Sequence, residues 1–160
     1  MKLLYALAFI LAIFAPIACC AAPAEIAIGD SIAVGLGLPG SAEIGIGPKA
    51  VLQRIAATPL NHLYGKIVIL SSGVSNNPAD IDYVPVQIEA LQAAGAHVVL
   101  LGVGSHVASL APLNALLGSY AGAAGIPFIW GWPAVHPASY RVLLENLRQV
   151  ECHFYQLCSA

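Results

Sequence analysis

The chain has 160 residues, enough for one domain. Hydrophobic residues make up 59% and charged residues 9%, and mean hydropathy is +0.81; a disordered chain shows the opposite balance and is excluded. Six Lys and Arg against eight Asp and Glu give a net charge of −2, with no cationic surplus for a phosphate backbone. Eleven Pro and fifteen Gly follow no period, which excludes collagen and simple repeats.

The chain opens with a positive start, Met1-Lys2, followed by an apolar run from Leu3 to Ala15 that Pro16 breaks. Small residues surround the next stretch, from Ala18 to Ala24. This three-part layout predicts a secretory signal peptide over residues 1–22, cleaved somewhere between Ala21 and Glu25. The competing reading is an uncleaved anchor, since no charge occurs from Leu3 to Ala24 and that length spans a bilayer. Pro16-Ile17-Ala18 is a poor match to a lipobox before Cys19 or Cys20. Residues 23–160 then form one domain with no linker. Export makes a disulfide the expectation for Cys152 and Cys158. A metal site using His153 is the weaker alternative, because three ligands in one short loop fit zinc spacing badly.

From Glu25 onward, short apolar runs alternate with helical stretches. Strands are expected at 25–29, 42–46, 66–70, 97–103 and 127–130. Helices are expected at 48–57, 79–94, 109–124 and 137–150, the last with Tyr140, Leu143, Leu144 and Leu147 on one face. Strand–helix alternation with strands apolar on both faces predicts a three-layer α/β/α sandwich. The expected order of its five parallel strands is 2-1-3-4-5, as in flavodoxin.

In such a sheet ligands bind beyond the carboxyl ends of the strands. The segments there are Gly29-Asp30-Ser31, Gly47, the stretch from Ser71 to Asn77, Gly104-Ser105-His106, and the stretch from Trp130 to Pro137. A hydroxyl, glycines, amides and imidazoles thus share one rim, which is the equipment of nucleophilic acyl transfer. Taken alone, Asp30 or Ser31 in Gly-Asp-Ser would serve as a helix cap. Gly35-Leu36-Gly37-Leu38-Pro39-Gly40 satisfies G-x-G-x-x-G but neither follows a strand directly nor opens a helix, so it reads as a helix end and loop.

Four blocks in order, Gly-Asp-Ser after strand one, a glycine after strand two, Gly73-Val74-Ser75-Asn76 after strand three and Val135-His136-Pro137 near the end, resemble the SGNH/GDSL hydrolases over nearly the whole domain. The resemblance implies a serine esterase with Ser31 as nucleophile and His136 as base. It implies an oxyanion hole from Ser31, Gly47 (or Gly45) and Asn76 (or Ser75), with no cofactor or metal. His106 rivals His136, because strand four lies nearer strand one. Two departures stand out. Asn76 is one residue later than the family's asparagine, and Pro133 occupies the place of the acid three residues before the histidine. The expected substitute for that acid is a main-chain carbonyl of Pro133 or Ala134 holding His136 Nδ1. The substrate class implied is a small acyl ester, such as an acetyl group on a carbohydrate or cell-wall polymer, handled by an exported monomer. A non-catalytic SGNH-like domain binding such a ligand is the alternative. Trp130 and Trp132 would either stack on a sugar or belong to the core.

Overall fold

The computed structural model describes residues 23–73, 78–104 and 108–157. Five parallel strands lie in the order β2-β1-β3-β4-β5: β1 (Glu25–Gly29), β2 (Gly40–Ala42), β3 (Ile67–Ser71), β4 (His97–Leu101) and β5 (Phe128–Ile129). The order matches the flavodoxin-like expectation, and β3 and β4 are buried along almost their whole length. Central strands covered on both faces explain their uninterrupted Ile, Val and Leu.

Helices α2 (Pro48–Ala57), α3 (Tyr83–Ala93) and α4 (Ala111–Ala124) cover one face. There Val51, Ile55, Ile88, Leu91 and Leu117 pack on Ile28, Val68, Leu70, Val98 and Leu100. Helices α1 (Ser31–Gly35) and α5 (Tyr140–Tyr155) cover the other. Ile32, Leu143 and Leu147 pack there on Ile67, Ile69, Val99 and Leu101. Alternate residues of one strand thus feed two separate cores, as the pleat requires. Among the described residues no helix is long and apolar enough to cross a membrane.

Three expectations are corrected. The second strand is Gly40–Ala42, not 42–46. Gly40 presses so close to β1 that an added Cβ would lie 2.0 Å from the Ala27 carbonyl oxygen, while Ile44 is exposed and Gly45 turns with φ +81°. The pairing edge therefore needed a small residue, and the apolar pattern pointed past it. The last helix runs from Tyr140 to Tyr155 rather than 137–150, because the Ser139 hydroxyl caps it by accepting from the Val142 N–H. The helices expected at 79–94 and 109–124 begin as 3-10 turns, Pro78–Asp82 and Ala108–Leu110, before α3 and α4 proper.

Candidate active site

The site is built from the turn that leaves β1. Gly29 has φ +144°, and a Cβ there would fall 1.8 Å from the Ser71 carbonyl oxygen. Only glycine permits this approach between β1 and β3. Asp30, almost fully buried, then caps α1: its Oδ1 accepts from the Ile32 N–H at 3.0 Å and from the Ser71 hydroxyl at 2.7 Å. With Asp30 as the cap, the Ser31 hydroxyl is not spent on that task. Ser31 is the first helical residue, so its backbone N–H lies in the orphan first turn.

The Ser31 Oγ lies 3.3 Å from His136 Nε2, across 105 positions of sequence. His136 stands on the segment between β5 and α5, exposed at the rim. Two contacts bear directly on that segment. The Trp132 indole N–H donates to the Val135 carbonyl at 3.1 Å, and the Trp132 ring is buried in the core beside α5. Gly104 lies so near the segment that a Cβ would meet the Ala134 carbonyl oxygen at 1.6 Å. The loop after β4 is fixed in turn by Asn114 of α4, whose side chain bonds both the Val103 N–H (2.8 Å) and the Val103 carbonyl (2.9 Å).

The other imidazole nitrogen, His136 Nδ1, lies 2.7 Å from the Tyr140 hydroxyl. This corrects the expectation of a Pro133 or Ala134 carbonyl in that place. Asp82 accepts from the Tyr120 hydroxyl and not from His136. Burial, reinforced by the Asp30 carboxylate, pushes the Tyr140 phenol above its ordinary range, so it stays protonated at neutral pH. Reading the sequence missed the contact of Tyr140 with His136. Its place on the core-facing stripe of the last helix was legible, and its hydroxyl was not.

The remaining candidates are distributed as follows. Gly47 precedes α2 as its N-cap with extended backbone, φ −96° and ψ 174°; Gly45 is exposed in the preceding turn. Asn76 and Ser75 lie outside the described residues, as do His106 and Cys158. Cys152 is half-buried near the end of α5. Of the two tryptophans, Trp132 is core, whereas Trp130 is 54% exposed and stacks on Phe128 with centroids 6.4 Å apart. His62 and His153 are exposed, and His97 lies against the Tyr155 ring at 4.9 Å.

A cavity of about 770 Å³ lies away from this rim. It is lined by Ala24, Ile26, Pro59, His62 and Lys66, toward the amino ends of β1 and β3, and contains neither Ser31 nor His136. A smaller hollow of about 360 Å³ adjoins the His136 segment, with Trp130, Pro133, Pro137, Ser139 and Asn146 on its walls.

No protein-family model matches the chain, and no curated protein matches it by sequence. Among solved structures, the C-terminal catalytic domain of peptidoglycan O-acetyltransferase A from Streptococcus pneumoniae, determined with a methylsulfonyl adduct, is similar to it at 14% identity. The match covers 86% of this chain and 78% of that chain, with a TM-score of 0.43.

Proposed function

We propose that this chain is an exported serine esterase that hydrolyses small acyl esters, with Ser31 as nucleophile and His136 as base. The observation that carries the reading is the 3.3 Å approach of Ser31 Oγ to His136 Nε2 at the carboxyl rim of the sheet. A hydroxyl is a weak nucleophile unless a base takes its proton as it attacks. In the first half-reaction the Ser31 proton passes to Nε2 while Oγ bonds the ester carbonyl carbon. The imidazolium then returns that proton to the leaving alkoxide, and the alcohol departs from an acyl-Ser31. Water repeats the sequence: its proton goes to Nε2, the acid leaves, and Ser31 recovers its hydrogen. The negative oxygen formed at each stage would be met by the Ser31 N–H, the Gly47 N–H and the Asn76 amide. One such donor is worth roughly 3 kcal/mol of barrier. Removal of the segment 1–22 on export and a Cys152–Cys158 disulfide belong to the same reading; the intact mass of the secreted protein reads both.

The test is turnover of a chromogenic acetate ester by the secreted protein. Ser31→Ala and His136→Ala are each expected to lower kcat by about a thousandfold or more. Turnover that survives Ser31→Ala would remove this serine from the chemistry. Binding of an acetylated saccharide by a wild-type protein with no turnover would favour a binding domain instead.

A further inference from the structure

We propose that Tyr140 is the positioning residue for His136: its phenol oxygen accepts the Nδ1 proton and so holds the imidazole in the tautomer whose bare Nε2 faces the Ser31 hydroxyl. The inference rests on the reading of Ser31 and His136 given above. In the usual Ser–His–Asp arrangement a carboxylate performs this task. Here Pro133 stands where that carboxylate is absent, and a phenol arrives from the helix on the other side of the histidine.

The geometry is specific to the hydroxyl. The Nδ1 to oxygen distance is 2.7 Å, whereas the ring centroids are 6.5 Å apart and tilted by 60°. The two rings therefore meet through their polar edges and not face to face. The phenol is held from behind. Tyr140 is the first residue of α5, set by the Ser139 cap, and its ring lies over Gly35, where a Cβ would come within 2.0 Å of the ring carbon bearing the hydroxyl. Gly35, at the end of α1, thus opens the seat that brings this hydroxyl to the histidine.

A phenol, unlike a carboxylate, can also donate. Had it donated to Nδ1, Nε2 would carry the hydrogen and His136 would be no base. The Asp30 carboxylate acts on the phenol electrostatically. The Ser31 hydroxyl, 3.3 Å from Nε2, donates its hydrogen to a bare Nε2, which leaves the ring hydrogen on Nδ1 for the phenol oxygen to accept.

The experiment is nitrogen-15 NMR of the imidazole rings at a pH where they are neutral, run beside ester kinetics. Wild-type protein is expected to show His136 protonated at Nδ1, with Nε2 bare. Tyr140→Phe keeps the ring on Gly35 and deletes only the oxygen. It is expected to move the population toward the Nε2–H form. It should also lower kcat by about tenfold to a hundredfold with KM within about twofold. Ser31→Ala should abolish turnover yet leave the tautomer as in wild type. A wild-type ring protonated at Nε2, or a Tyr140→Phe variant whose tautomer is unchanged whatever its kcat, overturns the proposal. If the wild-type protein shows no turnover, the esterase reading fails alone and the tautomer still decides the role of Tyr140.

Discussion

Gly29, Asp30 and Ser31 are neighbours with three different physical tasks. Gly29 lets β1 approach the Ser71 carbonyl, Asp30 satisfies the start of α1, and Ser31 reaches His136. A methyl group at position 29 would meet a backbone oxygen that cannot move without breaking the β1–β3 pairing, at a φ of +144° that alanine resists. Gly29→Ala is therefore expected to destabilise the fold by roughly 3 kcal/mol or more, read from urea denaturation. A loss under about 1 kcal/mol would mean that the two strands separate more easily than this contact implies. That Ser31 and His136 would meet was legible because each follows the carboxyl end of a strand on the same rim. Tyr140 was not, since a tyrosine on an apolar stripe reads as core until the direction of its hydroxyl is known. For Asn76 the sequence proposal stands by itself, because that residue lies outside the described segments.

The segment from β5 to α5 decides whether the imidazole is in reach. Its sequence, from Trp130 to Ser139, shows neither helical nor strand periodicity, so its path follows from tertiary contacts alone. Pro137 suggested a helix start there, yet the Ser139 cap delays α5 by three residues. That delay lets His136 and Tyr140 face each other through a turn. Likewise β2 escaped the apolar pattern, since its pairing rests on the small Gly40 and not on bulk. The long buried strands and the boundaries of α2 followed directly from composition, because burial on two faces and Pro48 at a helix start leave little freedom. Gly104 is the contact most open to test at this scale. A Cβ there would overlap the Ala134 carbonyl and push the His136 segment outward. Gly104→Ala is expected to cut kcat about tenfold or more while the cooperative unfolding transition persists. Full activity in that variant would show that the segment is positioned from elsewhere, with Trp132 the first suspect.

At the scale of the whole molecule, α5 ties the rim that carries Ser31 and His136 to the start of β1. Arg148 forms an ion pair with Glu25 at 3.0 Å, and the Tyr155 hydroxyl donates to the Val98 carbonyl at 2.5 Å. Burial pushes that phenol up to about 12. Between these two anchors sits Glu151, 3% exposed, with its Oε1 buried and without a hydrogen-bond partner among the described residues. Burial first, and then the Glu25 carboxylate, raise its pKa from 4.5 to about 7, against the opposing pull of Arg148. The consequence for stability follows from proton counting. Below about pH 4.5 the side chain is protonated in both folded and unfolded chains and costs nothing. Between 4.5 and about 7 the unfolded chain releases the proton while the fold retains it. Stability therefore declines as pH rises through this window and levels off above it. Glu151→Gln removes the titration and keeps the shape. It is expected to match the wild type at pH 4 and to exceed it by roughly 2 kcal/mol at pH 8, with the gap opening across the intervening range. Thermal unfolding of both proteins at several pH values measures this directly. A constant difference at every pH would mean that Glu151 titrates alike in the folded and unfolded chains, and that its burial carries no proton with it.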